Sequence, residues 1–181
     1  MQYYKVLGSP RPLLGSSLRE EERRVAGFTE RGGWWVVAQF ALFALYAGAL
    51  VATEPVSEGV GLGFARAVGL VLAVLGAGVG AWAVALHRFR VSPFPAPGDE
   101  ASLVTGGPYR WVRHPIYSAV IAVALGAALW GLRPAAVLVA VAFVPFFMAK
   151  TGHEEALLEE RYPAYRDYRS RVRWRLVPGL L

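Results

Sequence analysis

The sequence predicts an all-α integral membrane protein of about four transmembrane helices, with a cytoplasmic loop and a C-terminal cytoplasmic helical tail forming its site. Three observations predict it. Of the 181 residues, 55% are hydrophobic, too many for an ordinary soluble domain. Four apolar stretches come close to the roughly 20 residues that cross a hydrocarbon core. Lys and Arg are unevenly placed: six in residues 1–32, four in 87–113 and seven from Lys150 onward, against none and one in the other two connections. Positive-inside bias then puts both termini and the central loop in the cytoplasm.

Residues 1–32 read as a cytoplasmic N-terminal arm, too long and too acidic for the start of a secretory signal peptide. Within it, Glu20 to Arg24 reads as a solvated helical turn or two. Residues 33–181 read as a single membrane domain. Its first span, 33–52, opens with Trp34 and Trp35 at interface depth. The second, 60–86, carries Gly69, Ala73, Gly76, Ala77 and Gly80 at helical spacing, a small-residue face suited to close helix packing. Self-association through that face is left open. Arg66 sits near the outer end of this span, where its side chain can snorkel. Pro93, Pro95 and Pro97 make the loop after it extended. The third and fourth spans, 116–132 and 134–149, form a tight hairpin around Arg133, and Pro145 predicts a kink in the fourth. The tail, 150–181, has helical character up to Tyr162, and Pro163 permits a short second helix.

Several chemistries are excluded or unsupported. There are no cysteines, hence no disulfide, thiolate nucleophile or thiolate metal site. His87, His114 and His153 lie in separate segments, and their spacing suggests no metal. The glycine clusters at 59–63 and 76–80 imitate nucleotide loops but follow no predicted strand. The net charge of +6 is placed to meet anionic membrane lipids rather than nucleic acid.

The densest chemistry lies in residues 103–117. Gly106-Gly107-Pro108 is a turn signal. Pro115 permits a helix start directly after His114, so Arg113 and His114 stand at the mouth of a membrane helix. Ionisable groups at that depth suggest a functional site; interfacial anchoring by Arg, Trp and Tyr is the alternative. The tail is equally double: its arginines could grip lipid headgroups, and Glu154 and Glu155 could be a solvated helix face.

Taken together, the two stretches are more specific. Gly-Pro-Tyr-x-x-x-Arg-His-Pro-x-Tyr, running from Gly107 to Tyr117, is followed by a helical hairpin, a glutamate, and Tyr-x-x-Tyr-x-x-Arg-Val from Tyr165 to Val172. This order resembles the isoprenylcysteine carboxyl methyltransferase family, itself similar to the phospholipid N-methyltransferases, over roughly residues 100–178. Two positions depart from it: His153 stands where many relatives carry the first of two glutamates, and Tyr162-Pro163 replaces a common Phe-Gly. The resemblance implies S-adenosylmethionine as methyl donor, held on the cytoplasmic side without a Rossmann domain. It implies donor contacts from Val104, Gly107, Tyr109, Arg113, His114 and Tyr117, with Glu154 and Glu155 for the ammonium. It further implies a lipidic or small hydrophobic acceptor near Tyr165, Tyr168 and Arg171. Arg171 and Glu154 are the candidate catalytic residues. A guanidinium at Arg171 would clamp a carboxylate acceptor, which favours carboxyl O-methylation. An amine acceptor would instead need a base, Glu154 or Glu155. Two other classes stand beside this one. An NADPH-dependent membrane reductase shares the architecture, but Ile116 and Ser118-Ala119 replace the residues its motif requires. A non-catalytic lipid-binding membrane protein would use the basic tail alone.

Overall fold

The computed structural model describes residues 27–29, 31–88, 91–95 and 103–181. The Glu20–Arg24 turn and Pro97 of the extended loop lie outside these residues. The described chain is helical: α1 (Gly33–Ala52), α2 (Leu62–Leu86), a 3-10 turn (Gly107–Arg110), α3 (Pro115–Trp130), α4 (Pro134–Arg161) and α5 (Tyr165–Arg171). Helices α1, α2 and α4 are each long and apolar enough to cross a membrane. The 16 residues of α3 are apolar but short. They rise only about 24 Å, against a hydrocarbon core of about 30 Å.

The largest departure from the sequence expectation is at the end of the fourth span. The span expected over 134–149 and the helical stretch expected up to Tyr162 are one continuous helix; α4 runs 28 residues to Arg161. No proline lies between Lys150 and Arg161, and the Glu, Leu, Ala and Arg there are strong helix formers that outweigh the single Gly152. The helix also passes through Pro145. At about 42 Å it outreaches the hydrocarbon core, so its last turns carry Glu154, Glu155 and Glu159 beyond the apolar layer. Pro163 then separates α4 from α5.

Helix α2 packs on α3, α3 on α4, and α1 mainly on α4, so the spatial order is α1–α4–α3–α2. The tight connection Gly131–Arg133 makes α3 and α4 an antiparallel hairpin. The small-residue face of α2 is used inside the chain, against α3. A Cβ on Gly69 would lie 2.5 Å from the Trp130 backbone nitrogen, and one on Gly126 would lie 2.6 Å from the Gly69 carbonyl oxygen. Between apolar helices in lipid, such backbone approach supplies the dispersion contact that holds them together. The remainder of the core is aromatic: Phe143 and Phe147 of α4 meet Phe43 and Tyr46 of α1 and Tyr117 of α3.

This packing yields a direct test. Gly69→Ala or Gly126→Ala places a methyl group against backbone that cannot yield, and should cost about 1–3 kcal/mol. Gly78→Ala, whose added Cβ meets nothing within 4 Å, should be neutral or slightly stabilising. Thermal unfolding in detergent of the three variants checks the order; equal midpoints would contradict this packing.

Candidate active site

The site is built where the two charged stretches meet, at one end of the bundle. Pro115 starts α3 and leaves His114 at its N-cap. Ahead of it, the 3-10 turn needs glycine at position 107. Its φ is +58°, and an added Cβ would lie 2.6 Å from Leu86 Cδ1. After α5, residues 172–176 run back along 113–114. The Arg113 amide donates to the Trp174 carbonyl and the His114 amide to the Arg175 carbonyl, both at 2.9 Å. The Ser118 hydroxyl donates to the Leu176 carbonyl.

A buried charge cluster fastens this contact. Glu155, 1% exposed, accepts from Arg113 Nε at 2.8 Å and lies 3.2 Å from both His114 Nε2 and Arg175 Nη2. Arg113 Nη1 also donates to the carbonyls of Val172 and Arg173 at 2.7 and 2.6 Å. Nε and both hydrogens of Nη1 are thereby matched, as burial of a guanidinium favours.

Glu154, one position earlier, points elsewhere. It faces a cavity of about 460 Å³ between the 103–117 stretch, the end of α4 and α5. Its Oε2 accepts from the Tyr117 hydroxyl at 2.8 Å, and its Oε1 is 4.0 Å from His114 Nδ1. Tyr109, Tyr165 and Tyr168 complete the aromatic wall. Burial pushes all three phenols above their ordinary range, reinforced at Tyr109 by the Glu154 charge. They therefore stay protonated and act as hydrogen-bond donors. The Tyr168 hydroxyl donates to the Tyr109 carbonyl at 2.7 Å. The buried Tyr165 hydroxyl has no partner among the described residues. His87, at the end of α2, joins the wall with Nε2 2.8 Å from the Tyr109 hydroxyl; burial lowers its pKa. On the membrane side the lining turns apolar, through Phe40, Phe43, Val120 and Phe147.

The structure thus gathers Val104, Tyr109, Arg113, His114, Tyr117, Glu154, Tyr165 and Tyr168 around one cavity. Three expected residues lie outside its lining. Gly107 packs its turn onto Leu86 and Trp82. Glu155 is enclosed by its cations. Arg171 is exposed at the end of α5, with Nε 3.3 Å from the Asp167 carbonyl. Its helix presents Tyr165 and Tyr168 inward, and position 171 falls on the outer side. His153, at the departure noted above, stacks on Trp35 of α1.

Sequence reasoning missed several contributors. Lys150, fully buried, donates to the Gln39 side chain and, at 2.8 Å, to the Pro93 carbonyl, and lies 5.2 Å from the Tyr117 ring centre. It ties α1 and the 91–95 segment to α4. The signal was present: a lysine and a glutamine inside otherwise apolar segments.

A bundle of apolar helices capped by a charged, aromatic cavity defines a multi-pass membrane protein. A family model described as phospholipid methyltransferase matches residues 64–165, more than half the chain. The chain belongs to the phospholipid methyltransferase family. Its fold is similar to that of the eukaryotic intramembrane Ras methyltransferase, isoprenylcysteine carboxyl methyltransferase, with a TM-score of 0.56 at 20% identity. The match covers 82% of this chain and 53% of the other, so this chain spans about half the length of that enzyme. No curated protein matches the chain.

The two adjacent glutamates should separate experimentally. Glu155→Ala leaves the buried Arg113 guanidinium without its counter-charge and should destabilise the protein by about 3–5 kcal/mol. Glu154→Gln should leave the unfolding midpoint nearly unchanged. The reverse order in thermal unfolding would contradict these roles.

Proposed function

We propose that this chain is a methyltransferase that uses S-adenosylmethionine to methylate a lipidic acceptor, with its donor site in the cavity under the tail. One observation carries the reading. A carboxylate and several tyrosine faces converge above an apolar floor. The donor is a cationic sulfonium with an ammonium, and these groups suit it: Glu154 for the ammonium and the tyrosine faces for the sulfonium. When bound, it supplies an electrophilic methyl group.

The chain's own task is then to position the acceptor and keep water out. Phe40 both lines the cavity and is exposed on α1, so the apolar floor reaches the lipid-facing surface. An acceptor's hydrocarbon tail enters there from the side, and its head rises toward Glu154.

The head is best read as an amine. A carboxylate head would require a cation free to face it. Arg171 points outward, Arg113 is engaged by Glu155 and two carbonyls, and Lys150 by Gln39 and Pro93. The expectation of carboxyl O-methylation rested on Arg171 and loses that support. An amine head must lose a proton. His87, kept neutral by burial, is placed to take it through Tyr109: the amine proton passes to the Tyr109 oxygen as the Tyr109 proton moves to His87 Nε2. The Glu154 carboxylate lines the same cavity and faces the positive charge. We place the cavity and both termini on the cytoplasmic side, from the Lys and Arg distribution.

Incubating membranes that contain the protein with methyl-labelled S-adenosylmethionine tests this. Label should enter the lipid extract and survive alkali, as an N-methyl group does. Label released by alkali as methanol would instead show a methyl ester. Incorporation equal to that of Glu154→Gln would remove the methyltransferase reading altogether. His87→Phe should lower the rate about a hundredfold with little change in donor affinity.

A further inference from the structure

A second hollow lies on the outer side of the tail, separated from the first by the Arg113 side chain, which lines both. Its volume is about 530 Å³, and Arg113, Glu159, Arg166, Arg169, Ser170 and Arg173 form its walls. Its charge is unbalanced. Glu155 is shared by Arg113, Arg169 and Arg175, at 2.8, 4.0 and 3.2 Å. Glu159 is shared by Arg166 and Arg169. Arg173 forms no ion pair among the described residues. Five guanidinium groups would otherwise repel one another here across two carboxylates, one of them buried. Such a cluster selects an anion with several oxygens, and guanidinium forks match phosphate geometry.

The position indicates where that phosphate comes from. Counting about 20 residues from Pro134 along α4 brings the helix to Glu154 at the edge of the hydrocarbon core. Glu159 lies about 8 Å further along the axis, at headgroup depth. Trp174, next to Arg173, and Trp111 expose their indoles, 39% and 56%. Exposed indoles beside arginines mark a membrane–water interface.

We propose that this cleft binds the phosphate of an anionic membrane lipid headgroup, held by Arg166, Arg169 and Arg173. The lipid supplies the missing negative charge and sets the depth of the tail, and with it the roof of the neighbouring cavity. The proposal does not depend on methyl transfer and can be tested without it.

Native mass spectrometry of the full chain, challenged with phosphatidylglycerol or phosphatidylcholine of the same acyl chains, reads the preference directly. Phosphatidylglycerol should be retained preferentially. The combined variant R166Q, R169Q and R173Q should lose that preference, by about fivefold per arginine removed. Arg110→Gln, which removes one charge outside the cleft as Arg173→Gln does within it, should keep it. Should the combined variant fail to fold, Arg173→Gln carries the test alone, because no carboxylate depends on that side chain. Equal retention of the two lipids, or a preference that survives R173Q and the combined variant, overturns the proposal. Displacement of phosphatidylglycerol by inorganic phosphate would overturn the lipid source and leave a soluble-anion site.

Discussion

The buried carboxylate of Glu155 is the interaction on which the rest of this structure depends. A single ionised group out of water is costly, and it persists only when matched by charge and hydrogen bonds. Glu155 stands on α4, and its partners come from two other places: Arg113 and His114 before α3, and Arg175 beyond α5. Satisfying one carboxylate therefore joins segments that a bundle of apolar helices alone would leave apart. Because Arg113 also donates to the carbonyls of Val172 and Arg173, the returning segment is fixed in register as well as in place. Only then do Tyr165 and Tyr168 form a roof and the space beneath become a cavity.

The neighbouring residue shows how finely the helix divides labour. Successive positions on an α-helix differ by about 100° in direction. That rotation sends Glu155 into the cluster and Glu154 into the cavity, where Tyr117 holds it. The two side chains are chemically equivalent within the sequence. What separates their roles is the orientation of α4, and that is set by its contacts with α1 and α3.

Much of this was legible from the residues. The apolar lengths located the helices, the Gly-Pro-Tyr and Arg-His-Pro stretch located the site, and its pairing with Glu154 placed both on one end of the bundle. The ridge of small residues on α2 announced a close helix neighbour, though not that the neighbour is α3. Arg171 shows the limit. Its motif spacing was right, yet in a seven-residue helix whose inward face is fixed by Tyr165 and Tyr168, position 171 turns out. Gln39 and Lys150 were harder still, because 111 positions separate them in the chain. Their pairing is a consequence of α1 packing on α4 rather than on its sequence neighbour. No local pattern encodes that choice.

The mismatch between α3 and α4 explains why polar chemistry can sit so close to lipid. A helix of about 24 Å cannot span the core by itself, so its N-terminus lies inside the interface, shielded by α4 and the tail. The amides of Tyr117 and Ser118 in its first turn close on the His114 carbonyl, which fixes His114 beside Glu154. The longer α4 carries its acidic turns past the same plane and supplies the opposite charge. A shorter α4 would leave His114 buried without a carboxylate. A longer α3 would lift Arg113 and His114 out into water, away from the bilayer boundary. The inequality of the two lengths is what holds this charged cavity at the edge of the apolar layer.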